Sequence, residues 1–163
     1  MSTGLFYTEQ RQDWATPRDL FEALDREFHF TLDVCASAEN AKVPQHLTEE
    51  DNALMLEWSG ACYMNPPYAK MEQWVRKAHL EACRGAVVVC LLPVRTDTSW
   101  WHEWVTKARE VRFIRGRVRF EGTTSSAPFA SAVVVFDRPE ERPFYHKVSY
   151  VRLPLGRKRG NTP

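Results

Sequence analysis

The seven-residue run Ala86-Val87-Val88-Val89-Cys90-Leu91-Leu92 constrains the fold more than any other feature of this chain. It offers no polar side chain to water on either face. Such a run reads as a strand covered on both sides, the situation of an interior strand in a sheet with helices packed on each face. It is also far shorter than the roughly 18 to 20 apolar residues a membrane-spanning helix requires. The N-terminus lacks the basic-then-apolar pattern of a secretory leader, so the expected location is cytoplasmic, without a membrane span.

Around this strand the periodicity alternates. Thr16-Pro17 reads as a helix start, with Thr16 as cap, Pro17 in the first position and Asp19 in the first turn. Leu20, Phe21, Leu24 and Phe28 recur at helical spacing behind it. Phe30 to Val34 reads as a short strand carrying Asp33, and the chain is then irregular to about Glu57. Ala61-Cys62-Tyr63-Met64 makes a second short strand, ended by Asn65-Pro66-Pro67-Tyr68, where two prolines forbid further central ladder bonding. Met71, Trp74, Val75, Ala78 and Ala82 form the apolar stripe of a helix that Gly85 stops.

After the central strand, Trp100, Trp101, Trp104, Val105 and Ala108 mark a third helix, capped by Asp97, whose tryptophans belong to the core. Val111 to Phe120 and Ala130 to Phe136 read as two strands that pair antiparallel across the polar Gly122–Ser126 link. The whole predicts an α/β fold, a mostly parallel sheet with helices on both faces and an antiparallel pair at its C-terminal end. A chain of 163 residues has room for one such domain. The expected division is an N-terminal extension over 1–13, the domain over 14–155, and a disordered basic tail over 156–163.

With 44% hydrophobic and 26% charged residues, the composition excludes disordered, collagen-like and coiled-coil chains. Cys35, Cys62, Cys83 and Cys90 show no CxxC spacing, and the five histidines show neither HxH nor HxxxH, so neither a disulfide scaffold nor a metal site is expected. Net charge is +1, yet residues 1–82 carry 7 Lys/Arg against 14 Asp/Glu and residues 83–163 carry 15 against 7. That asymmetry suits an electropositive face meeting an anionic polymer, or charges that solvate opposite parts of the chain.

In an open α/β sheet the ligand crevice lies outside the carboxyl ends of the strands, which is where Asn65-Pro66-Pro67-Tyr68 falls. Asn65 brings a side-chain carbonyl and Pro66 a backbone carbonyl on a stiff, extended stretch. Two acceptors converging on one exocyclic amine bind both of its N–H bonds and aim the nitrogen lone pair at an electrophile. Tyr68 adds a flat face on which a planar base can stack. The work demanded of such a site is mostly positioning. A plain Pro-Pro turn is the competing reading of the same four residues.

The motif is similar to motif IV of the S-adenosylmethionine-dependent amino-methyltransferases, and the order of signals resembles the small phage-encoded DNA N6-adenine methyltransferases of the Dam type. The resemblance runs from about residue 14 to 136: Trp14-Ala15-Thr16-Pro17, Leu32 to Ser37, Asn40, Asp51 with Leu54 and Trp58, Asn65 to Tyr68, Leu92 to Thr98, Phe113 to Arg117, and Pro128 to Ala132. It implies a single-domain, Rossmann-like core using S-adenosylmethionine to methylate the N6 amine of adenine in DNA, with the target base flipped onto Asn65, Pro66, Pro67 and Tyr68. Thr16 and Pro17 would lie near the donor's methionine end, Asp33 near its amino group or sugar, Ala36 and Asn40 beside them, and Asp51 near its adenosine.

The chain departs from the wider methyltransferase pattern in having no glycine-rich loop after Asp33. Asp33 and Asp51 therefore also read as cap or turn residues. Arg95 suits a phosphate or carboxylate. In the run Arg112, Arg115, Arg117 and Arg119, the last three share one strand face, either as a strip along a nucleic-acid backbone or as a solvated surface. With little chain left for a recognition domain, a short target sequence read from loops over 113–130 is expected. Other acceptors suit the same motif: cytosine N4, guanine N2 in RNA, or a protein glutamine amide. A non-catalytic nucleic-acid-binding relative is the alternative of a different kind.

Overall fold

The computed structural model describes residues 14–138 and the strand at 147–151. The expected extension over 1–13 and tail over 156–163 lie outside the described residues, as does the expected domain end at 155. The elements run α1 (Arg18–Phe28), β1 (Leu32–Asp33), β2 (Ala61–Met64), α2 (Met71–Cys83), β3 (Val87–Pro93), α3 (Ser99–Glu103), β4 (Glu110–Ile114), β5 (Ser131–Phe136) and β6 (Lys147–Val151). Short 3₁₀ turns stand at Ala53–Met55 and Val105–Lys107.

The six strands form one sheet in the order β1-β2-β3-β5-β4-β6. β1, β2 and β3 are parallel neighbours, and β4 pairs parallel with β6. The expected antiparallel pair is present, with Val111 opposite Val134. β5 also pairs antiparallel with β3, from Val88↔Phe136 to Pro93↔Ser131, so it is inserted between β3 and β4 and runs against the other strands. The expectation of a mostly parallel sheet holds, and the reversed strand lies inside it rather than at its end.

Alternation along the strands assigns two apolar layers. Cys62, Met64, Val88, Cys90, Leu92, Ala132, Val134 and Phe136 face Met71, Val75, Ala78 and Ala82 of α2 together with Trp100 and Trp101. Tyr63, Val89, Leu91, Val133 and Val135 face Leu20, Phe21 and Leu24 of α1. The apolar run of β3 thus supplies both layers, the physical reason it carries no polar residue. At the end of α2 the chain reverses at Gly85, whose φ of +113° disfavours side-chain-bearing residues.

Three local expectations are corrected. Thr16 makes no cap hydrogen bond to α1; its hydroxyl is drawn to Tyr63 and Asn65 instead. Asp97 does not cap α3. It is exposed and pairs with Arg95 at 3.6 Å, while the helix itself stops at Glu103 and tightens into the 3₁₀ turn. The strand expected to reach Phe120 leaves the ladder after Ile114, because β5 reaches only to Ser131, beside the ladder partners Phe113 and Ala132. No helix among the described residues is long and apolar enough to cross a membrane.

Candidate active site

Because β1, β2, β3 and β4 run the same way, Asp33, Asn65, Arg95 and Arg115 all fall at or just beyond one edge of the sheet. The start of β5 joins them there, with Ser131 opposite Pro93. This is the carboxyl edge where α/β sheets bind ligands.

Asn65 is held at this edge by two hydrogen bonds from its amide nitrogen. Its side-chain amide nitrogen donates to the backbone carbonyl of Trp14 at 2.5 Å and to the Thr16 hydroxyl at 3.0 Å. Thr16 is buried, and its hydroxyl lies 2.6 Å from the phenolic oxygen of Tyr63, also buried. With both N–H bonds engaged by Trp14 and Thr16, the Asn65 side-chain oxygen meets no hydrogen-bond donor among the described residues. The Pro66 carbonyl likewise receives none there. Two uncommitted acceptors on adjacent residues are what holding an exocyclic amine requires.

Tyr68 belongs to an aromatic group. Its ring is stacked against Trp14 at 6.2 Å and 23°, and meets Phe129 edge-on at 5.2 Å. Trp14 also touches Phe120 and Phe129, at 5.2 and 5.7 Å. Tyr68 is partly exposed, and the burial of its hydroxyl end pushes its pKa well up, so the phenol stays neutral. Trp14, Phe120 and Phe129 carry no spacing that points to this group. They converge from separate segments, and only the Trp14-Ala15-Thr16-Pro17 and Pro128 to Ala132 resemblances pointed to two of them.

The residues expected around the donor divide into two sets. Asp33 is buried at the end of β1, its carboxylate accepting the backbone N–H of Cys35 at 3.3 Å and of Lys42 at 3.1 Å. Burial pushes its pKa up, against those two N–H groups, which favour the ionised form. Each oxygen keeps further acceptor capacity. Asn40 and Asp51, in contrast, stitch their own turns: Asn40 accepts from the Ser37 N–H at 2.7 Å, and Asp51 takes both the N–H and the hydroxyl of Thr48. The Ala36 N–H is bound to the Leu47 carbonyl, and Pro17 sits as the residue before α1.

Of the arginines, Arg115, Arg117 and Arg119 are exposed, but they do not share a strand face as expected: β4 ends at Ile114, the intervening Gly116 is exposed as well, and burial alternates only from Arg117 to Phe120. Arg119 donates to the Thr123 carbonyl at 3.3 Å, and Arg95 is exposed beside Asp97. Arg112 differs: it is enclosed between Glu27 and Glu110. Hydrogen bonding to Glu27 raises the Arg112 pKa and lowers that of the carboxylate. Among the described residues no three His, Cys, Asp or Glu side chains gather as a metal site requires.

Comparison with known proteins identifies relatives of the chain. Residues 5–162 match the family described as DNA N-6-adenine-methyltransferase (Dam). The chain is 36% identical over 120 residues to the DNA N-6-adenine-methyltransferase of Haemophilus phage HP1 (strain HP1c1), covering 71% of this chain and 65% of that protein. It is 30% identical over 107 residues to the DNA N-6-adenine-methyltransferase of Escherichia phage T1, covering 64% of this chain and 45% of that protein. The matched part therefore spans just under two thirds of one relative and less than half of the other. Since the family pattern extends over nearly the entire sequence, Asn65 to Tyr68 included, this chain belongs to the DNA N-6-adenine-methyltransferase (Dam) family.

Proposed function

We propose that this chain transfers a methyl group from S-adenosylmethionine to the N6 amine of adenine in DNA, on a Rossmann-like methyltransferase core. The observation that carries the reading is the Asn65 carboxamide, anchored inward through its nitrogen with its oxygen left uncommitted. Family membership supports the choice of acceptor and donor.

The donor, when bound, supplies an electrophilic methyl carbon. The chemistry of the edge suits such a group: Asp33 retains acceptor capacity for an ammonium or hydroxyl, and the buried hydroxyl of Ser131 has no hydrogen-bond partner among the described residues. Asp33 would hold the donor; Asn40 and Asp51, already engaged in turns, shape the loop around it. Asn65 and Pro66 accept the two N–H bonds of the target amine, which directs its lone pair outward and leaves the proton to be lost during or after transfer. Tyr68 stacks on the adenine, partly offsetting the few kcal/mol that extracting a base from duplex DNA costs. Pro67 keeps this stretch extended. Arg95, Arg115, Arg117 and Arg119 bind the phosphate backbone.

The test is to incubate the purified protein and an Asn65→Ala variant with unmodified DNA and S-adenosylmethionine, and to analyse the digested nucleosides by mass. N6-methyladenine from the native protein and none from the variant is expected. N4-methylcytosine, or methylation of RNA or protein in place of DNA, would replace the proposed acceptor; absence of donor binding by calorimetry would reduce the chain to a nucleic-acid-binding relative.

A further inference from the structure

We propose that Thr16 is a positioning residue which, with the Trp14 carbonyl, fixes which end of the Asn65 carboxamide faces the target. The proposal rests on the function proposed above. A carboxamide has a donor end and an acceptor end of nearly the same shape, and only the acceptor end can receive an N–H bond from an amine. Without such a constraint, it would present either end.

Here the choice is made from behind. The Trp14 carbonyl only accepts, so it demands the nitrogen of Asn65; rotating the amide by half a turn would set two oxygens against each other at 2.5 Å. Thr16 takes the second N–H at 3.0 Å. Its hydroxyl can do so while still bonded to the Tyr63 phenol, because one lone pair serves Asn65 and the remaining lone pair or proton serves Tyr63. With Thr16 2% exposed, water cannot readily substitute for the hydroxyl. The same arrangement explains why position 65 needs an amide: an isosteric carboxylate would have no N–H for Trp14.

The decisive experiment compares Thr16→Val, which keeps the shape without the hydroxyl, with Thr16→Ser, which keeps the hydroxyl. Loss of one hydrogen bond on a reacting group predicts that Thr16→Val lowers kcat by about tenfold or more, while the donor Kd by calorimetry stays within about twofold. Thr16→Ser should keep kcat within about threefold of native, and Asn65→Asp should be impaired like Thr16→Val. Unchanged kcat in Thr16→Val, or a fall matched by an equal loss of donor affinity, would overturn the proposal, the latter assigning Thr16 to the donor. A native protein that methylates nothing would sink the proposed function but leave the positioning testable without activity. In that case, NMR of the Asn65 side-chain amide should show both N–H signals protected from solvent exchange, and rapid exchange in the native protein would refute it.

Discussion

Trp14 lies nearly parallel to Tyr68, at 23° with ring centroids 6.2 Å apart, and so backs the ring of the tyrosine that closes the Asn65-Pro66-Pro67-Tyr68 stretch. Phe129 meets the same ring edge-on at 5.2 Å. The phenol of Tyr68 is thus held by aromatic packing rather than through its hydroxyl.

Tyr68→Phe should therefore retain most activity, whereas Tyr68→Ala removes the stacking face. Base stacking contributes about 1–3 kcal/mol, which predicts a DNA affinity lowered by roughly 5- to 150-fold. Titration of the variants with a short duplex checks this, and equal losses in both would show that the hydroxyl, not the ring, is what matters.

The basic run should divide by function. Substituting Arg115, Arg117 or Arg119 with Gln is expected to weaken DNA binding across sequences and to flatten the dependence of log affinity on log salt by about 0.9 for each phosphate no longer neutralised. Arg112→Gln should instead lower thermal stability with little change in salt dependence, since its guanidinium is held between Glu27 and Glu110. Binding isotherms at several salt concentrations, run beside melting curves, separate the two behaviours.

Glu81 ties α2 to the segment entering β2. Its buried carboxylate meets Lys77 at 2.6 Å and Arg84 at 2.8 Å, and accepts the Trp58 N–H at 3.1 Å. Burial works against the charge, but Lys77 and the Trp58 N–H outweigh it and hold the carboxyl below its ordinary value. Its stabilisation is therefore complete above the unfolded carboxyl value of about 4.3 and is lost as pH falls through the lower folded value. Glu81→Ala should cost about 3 kcal/mol at pH 7 and soften the acid unfolding transition, as read by denaturant melts between pH 3 and 7.

Thiol reactivity should single out Cys83. It is exposed, while burial pushes the Cys62 thiol up to about 12 and those of Cys90 and Cys35 up as well. Brief alkylation of the folded protein followed by peptide mass analysis should find label at Cys83 and little at Cys62 or Cys90.

Much of the architecture is legible locally. The spacing of Met71, Trp74, Val75, Ala78 and Ala82 gives α2, and the unbroken run from Ala86 gives β3, because burial on one stripe or on both faces leaves a period in the sequence. The Asn65 motif is legible for a similar reason: its prolines both end β2 and hold the acceptors extended. What misleads is anything settled by a distant partner. Thr16 has the chemistry of a cap, yet Tyr63 and Asn65 claim its hydroxyl from 47 and 49 residues away. The strand read from Val111 to Phe120 stops early for the same reason: pairing with β5 goes no further than Phe113 opposite Ala132, and Arg115, Gly116 and Arg117 beyond it are all exposed.

By itself, then, the sequence determined α1, α2, β2, β3 and β5, the two-faced burial of the sheet and the position of Asn65 to Tyr68 at a strand end, since each depends on neighbours within one turn or one pleat; β6 at Lys147–Val151 was not among the elements it marked. Only the tertiary structure decided that β5 enters between β3 and β4, that Trp14, Tyr68, Phe120 and Phe129 share one aromatic group, and that Trp14 and Thr16 take the nitrogen of Asn65. Those relationships join residues far apart in the chain, and no local period records them, because hydrogen-bond geometry and ring packing are set by where the sheet brings side chains together rather than by their spacing.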